Sequence, residues 1–186
     1  MMHRSQTVYG LLALAACILL NARVFAAGPS TENSFSPLAP RILEMMSTNV
    51  LGSVEARIHF VEKWEITRLQ KAQVLFSMLA KAEEDDQRKL AHAAVPYVSN
   101  TNYALVRSHL LNPKLPPVVL SVFMTDTLKR DYRIKLPTIL SLAQIAAHPM
   151  QAEAQQLLRG YLGRDHGTNW AKWEETMHLW LKSNPQ

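Results

Sequence analysis

From Ala39 onward, apolar residues recur at steps of three and four, the period of an amphipathic helix. Leu69, Ala72, Leu75/Phe76 and Leu79/Ala80 mark one apolar face, and Leu90/Ala91, Ala94/Val95 and Val98 mark the next. Asp85 and Asp86 stand at the start of that second helix, where carboxylates favour the exposed N–H groups and the positive dipole end. Tyr103, Val106 and Leu110 predict a shorter helix, ended by Asn112-Pro113. Three prolines then read as helix openers, because a first-turn residue needs no N–H. Pro117 leads Leu120, Phe123/Met124 and Leu128; Pro137 leads Leu140, Ala143/Gln144 and Ala147; Pro149 leads Ala154, Leu157/Leu158 and Tyr161/Leu162, with Gly163 as the stop. Gly167-Thr168 sets off a last helix over 168–182. No stretch alternates cleanly, and the strand-like run over 118–123 follows two prolines, which suits the first turn of a helix. The pattern predicts an all-α fold of about 7–9 helices.

The first 26 residues read differently. Arg4 precedes an apolar run from Thr7 to Leu20 of about 14 residues, short of the roughly 20 that span a bilayer. A small-residue exit follows at Val24-Phe25-Ala26-Ala27. This is the form of a signal peptide over 1–26, cut after Ala26, and it predicts a periplasmic or secreted protein. Leu14-Ala15-Ala16-Cys17 also has the form of a bacterial lipobox, which would acylate Cys17, although Ile18-Leu19-Leu20 continue the apolar run where a lipoprotein usually turns polar. A retained signal anchor is the third alternative. Membrane contact is expected only through the signal segment or such a lipid anchor. Residues 27–38 are rich in turn formers and read as a flexible linker, leaving 39–186 as the helical domain.

Composition narrows the function classes. A chain of 186 residues that is 48% hydrophobic can bury a core, which excludes disorder throughout. One cysteine excludes a disulfide scaffold, and loss of Cys17 with the leader removes the last thiol. The net charge of +5 falls to +3 once Arg4 and Arg23 are cut away. No basic run carries interleaved aromatics, so no nucleic-acid partner is expected. No glycine-rich phosphate loop, CxxC, HExxH or GxSxG is present, the histidines lack metal-ligand spacing, and neither metal nor cofactor is expected.

Helix starts at about 67, 86, 101, 116, 136, 149 and 168 give paired spacings of about 34, 35 and 32 residues, the near-constant length of stacked helical hairpins. The corners carry a resemblance. Ala80-Lys-Ala-Glu-Glu-Asp-Asp-Gln-Arg-Lys-Leu-Ala-His-Ala-Ala94 and Ala147-His-Pro-Met-Gln-Ala-Glu-Ala-Gln-Gln-Leu-Leu158 look like HEAT-repeat corners, in which an acidic or proline-containing turn leads into a helix with small residues and then Leu or Val inside. Asn112-Pro-Lys-Leu-Pro-Pro-Val-Val-Leu120 is similar and more degenerate. The resemblance covers roughly 67–163. It implies an α-solenoid of antiparallel helix hairpins used for binding proteins, with no fixed catalytic residue.

Three groups of residues are candidates for function. Trp170, Trp173, Met177 and Trp180/Leu181 form an aromatic stripe that would serve as a docking surface or as the cap that closes a repeat stack. Lys129, Arg130, Arg133 and Lys135 would grip an acidic partner or a phosphate-rich envelope polymer, or else lie in a solvated loop paired with Asp126 and Asp131. Asp165, His166 and His148 would serve a hydrolase if two of them converged within about 4 Å. The expectation is an exported, non-enzymatic helical-repeat scaffold that presents a concave face to an unidentified envelope protein. An envelope hydrolase, or a lipoprotein with the same scaffold role, is the alternative.

Overall fold

A computed structural model describes residues 52–185, which fall within one compact unit. The signal segment 1–26, Cys17 and the linker 27–38 lie outside the described residues. Eight α-helices and no strand are found among the described residues, so the fold is all-α. In chain order they are α1 Val54–Lys63, α2 Arg68–Leu79, α3 Glu84–Ala94, α4 Ala104–Leu110, α5 Pro117–Lys129, α6 Tyr132–Gln144, α7 Gln151–Leu162 and α8 Trp170–Ser183. Two 3₁₀ turns, Val95–Tyr97 and Asn100–Asn102, carry the chain from α3 to α4.

The helix ends follow local chemistry. Ser53 caps α1 by accepting from the Ala56 N–H at 3.3 Å. Thr67 and Gln70 form a reciprocal capping box at α2. Glu84, Asp85 and Asp86 crowd the first turn of α3, where the backbone N–H groups point outward. Pro117 is the first residue of α5. Gly163 ends α7 with φ +65, a left-handed conformation that costs glycine nothing.

Consecutive helices pair except α3 and α4, with α2 and α3 and α6 and α7 paired most extensively. The further substantial contacts, among the described residues, join α1 to α3, α3 to α5 and α6 to α8, so each helix leans on helices one or two places away. On the opposite side α2 meets α4 where Phe76 stacks on His109 at 4.5 Å, and α4 meets α6 where the Arg107 guanidinium donates to Ser141 Oγ at 2.7 Å. The core runs through the layers as a continuous cluster that includes Leu75, Leu90, Val106, Phe123, Ile139, Leu158 and Trp173.

Three expectations need correction. Pro137 opens no helix: α6 begins at Tyr132, its first turn closed by the Ile134 and Lys135 N–H groups on the Asp131 carbonyl, and Pro137 sits inside it. Without an N–H, Pro137 cannot donate to the Arg133 carbonyl, and Ser141 Oγ bonds back to the Pro137 carbonyl at 2.9 Å. The basic segment 129–135 is no loop, because only Arg130 and Asp131 separate α5 from α6. Nor is the hairpin spacing constant. The observed starts give paired spacings of 36, 28 and 38 residues, since α4 is short and the turn before it takes up chain that a full helix would use.

Candidate interaction surface

The charged cluster at the α5–α6 corner divides into three fates. Arg130 is fixed: it donates two hydrogen bonds of 2.9 Å to the Asp126 carboxylate and one of 3.1 Å to Asn100 Oδ1. Its guanidinium also lies 5.3 Å from the Tyr103 ring centre, and Asn100 Nδ2 donates to Asp131 Oδ2 at 2.7 Å. Beneath this layer the Tyr103 and Thr127 hydroxyls are hydrogen-bonded, and Thr127 Oγ1 donates to the Phe123 carbonyl. Burial pushes the Asp126 carboxyl up, with Arg130 opposing, and burial pushes the Tyr103 hydroxyl up to about 12. The network clamps the 3₁₀ segment before α4 to the α5–α6 corner. Of the two acids expected to pair with the cations, Asp126 does so and Asp131 takes Asn100 instead.

Lys135 is buried at 8% exposure, its ammonium 4.5 Å from the Tyr132 ring centre and 5.3 Å from that of Tyr161. Two aromatic rings hold the cation against the α6–α7 packing. Lys129 and Arg133 are exposed. Lys129 borders a groove of about 280 Å³ between α3 and α5, shared with His92, Ser121, Thr125 and Asp126.

The aromatic stripe of α8 turns inward. Trp173 is 1% exposed and donates from Nε1 to the Gly167 carbonyl at 3.0 Å. Met177 is buried, and Trp170, Trp180 and Leu181 are partly buried against the core. Trp180 meets the Tyr132 ring edge-on at 4.8 Å. The stripe therefore covers the α6–α7 end of the molecule, and Trp173 is out of reach of any partner.

Asp165, His166 and His148 are each engaged separately. Asp165 accepts from the Gly167 N–H at 2.8 Å and from Arg159 at 2.9 Å, and these hold its carboxyl below the usual carboxylate range. His166 Nε2 pairs with Thr176 Oγ1 at 2.8 Å, its ring edge-on to Trp173 at 5.1 Å. His148 is 4% exposed. Its Nδ1 accepts from the Met150 N–H at 3.1 Å, so the proton sits on Nε2, which donates to the Leu110 carbonyl at 3.0 Å. Burial lowers its pKa and keeps the ring neutral. Every hydrogen bond of the three goes to a structural partner, and none joins one of them to another. Among the described residues, no group of three His, Cys, Asp or Glu side chains could hold a metal ion.

Sequence reasoning missed His148 as a bolt between α4 and the α6–α7 corner, because its partner lies 38 residues away. It also missed an asymmetry of charge. Helices α2, α4 and α6 contain no Asp or Glu, and every helical carboxylate among the described residues lies on α1, α3, α5, α7 or α8. Counting acids per helix would have found this once the helices were correctly bounded. Comparison with protein-family models, with curated proteins and with solved structures finds no match to this chain.

Proposed function

We propose that this protein is an exported, non-enzymatic scaffold: a short, HEAT-like solenoid of helix hairpins that holds a protein partner in the cell envelope. The observation that carries this reading is the restriction of substantial helix contacts to helices one or two places apart. Packing of that kind builds an elongating stack with an extended surface, rather than a bundle closed on a pocket. The inward-facing Trp173 and Met177 of α8 fit the apolar closure that the last unit of such a stack needs. The engagement of Asp165, His166 and His148 in structural hydrogen bonds leaves the hydrolase alternative without a site at those residues. Export rests on the apolar run and small-residue exit before Ala27.

Two measurements test the two halves. Intact-mass analysis of protein from a bacterial periplasm is expected to find a chain starting at Ala27; a chain retained in the cytoplasm overturns export, and an acylated Cys17 start makes the scaffold a lipoprotein. Photo-crosslinkers at Gln73 and Gln144, on the α2 and α6 surfaces, are expected to trap a discrete envelope protein. Absence of any adduct from either position, or an esterase or peptidase activity abolished by Asp165→Asn, overturns the scaffold role.

A further inference from the structure

Over residues 87–150 the chain carries eight Lys and Arg against two acids, Asp126 and Asp131, and both acids are already engaged by Arg130 and Asn100. The row α2, α4, α6 is free of helical carboxylates. Three exposed arginines stand on it with no carboxylate partner among the described residues: Arg68, which donates to the Pro96 carbonyl, and, on the adjoining α4 and α6, Arg107, which donates to the neutral Ser141 hydroxyl, and Arg133. Arg133, Ser141 and Gln144 share one face of α6 by helical period, so the Arg107 anchor at Ser141 lies eight residues beyond Arg133, or about 12 Å along the axis. An extended chain covers that distance in about four residues.

We propose that this α2–α4–α6 face binds an extended, acidic segment of a partner protein, with Arg107 and Arg133 each pairing with a carboxylate of that segment. The inference rests on the scaffold reading and names the partner's chemistry. Guanidinium groups match carboxylates in a planar two-point geometry. The side-chain amides of Gln73 on α2 and Gln144 on α6 make no hydrogen bond among the described residues, so they can serve the peptide backbone of the occupant. An anionic membrane fits less well. The large hydrophobic side chain that is exposed among the described residues, Leu179, belongs to α8, so the basic row has nothing to insert into a bilayer.

The test uses fluorescence anisotropy of labelled (Glu-Ser)6, with (Lys-Ser)6 and phosphatidylglycerol vesicles as comparison probes, at low ionic strength. The purified protein is expected to bind (Glu-Ser)6 and not (Lys-Ser)6, with affinity falling as salt rises. Arg107→Glu/Arg133→Glu is expected to weaken binding at least about fivefold, while Lys172→Glu/Lys182→Glu on α8 changes it less than about twofold. Arg107→Lys/Arg133→Lys, which keeps the charge, is expected to retain measurable but weaker binding and covers the case in which the Glu variant fails to fold. No binding of (Glu-Ser)6, an equal loss in the α8 variant, or binding to vesicles alone overturns the inference. If the peptide fails while Gln73 and Gln144 crosslinks still trap a protein, the acidic-segment inference falls and the scaffold stands; if both fail, both fall.

Discussion

At the scale of single residues, the corner between α6 and α7 concentrates the most consequence in the fewest atoms. Ala147 adopts φ +60, which costs a side-chain-bearing residue about 1–2 kcal/mol. The conformation is held because His148, next in the chain, is pinned at both ring nitrogens. Ala147→Gly removes the steric cost and adds back unfolded-state entropy of about 0.5–1 kcal/mol, so chemical denaturation is expected to show a net gain below about 1 kcal/mol. His148→Ala leaves the Leu110 carbonyl and the Met150 N–H without partners and is expected to cost about 2–3 kcal/mol. The pH dependence has a definite sign. Burial lowers the folded-state pKa of both His148 and His109. Above the unfolded-state value near 6.5 both states are neutral and stability is undiminished. Below it the unfolded chain takes up protons first, so stability declines on acidification. Urea midpoints are expected to fall from pH 7.5 to pH 5.5, and His148→Gln, neutral throughout, is expected to make that decline shallower.

At the scale of elements, the helices were legible wherever apolar spacing and a cap agreed. The buried faces of α3 and α7 follow the spacing read from the sequence, those of α2 and α5 are wider, adding Val74, Met78, Val119 and Val122 and leaving Ala80 exposed, and Gly163 stops α7 as its position suggested. Pro137 misled because a proline looks the same at the first turn of a helix as one and a half turns in; only the helical hydrogen bonds to the Asp131 carbonyl and the burial of Lys135 and Leu136 show that α6 has already begun. α1 was submerged in a generally helical stretch, since Glu55, Arg57, His59, Glu62 and Lys63 break up the signal from Val54 and Val61. The fate of the candidate surface residues was harder to see. Lys129, Arg130, Arg133 and Lys135 are neighbours in sequence, yet the fold turns one into a clamp, buries another, and leaves only Lys129 and Arg133 exposed. Gly160 makes an element-scale test. It lies on the exposed side of α7, and an added Cβ would meet nothing within 4 Å. Gly160→Ala is therefore expected to stabilise by about 1 kcal/mol in thermal unfolding, the ordinary difference in helix propensity.

At the scale of the whole molecule, the proposed solenoid reading turns on α8. A row of helices that bury their faces only against neighbours leaves an apolar face at its last member, and something must cover it. Here the cover comes from α8 through Trp173 and Met177, with Trp180 against Tyr132. The opposite side of the same helix carries Leu179, which is 61% exposed and packs on nothing that a truncation would undo. Two single substitutions therefore separate the cap from the surface. Trp173→Ala removes a buried indole and the hydrogen bond to the Gly167 carbonyl, and it is expected to cost about 3–5 kcal/mol. Leu179→Ala is expected to change stability by less than about 0.5 kcal/mol. Because the core is continuous from α2 to α8, loss of the cap should also reach beyond it: hydrogen exchange in Trp173→Ala is expected to speed up in α6 and α7 more than in α1 and α2. Equal acceleration in all helices would mean that the eight helices unfold as one cooperative body, with no stack order, and would remove the basis for reading them as repeating units.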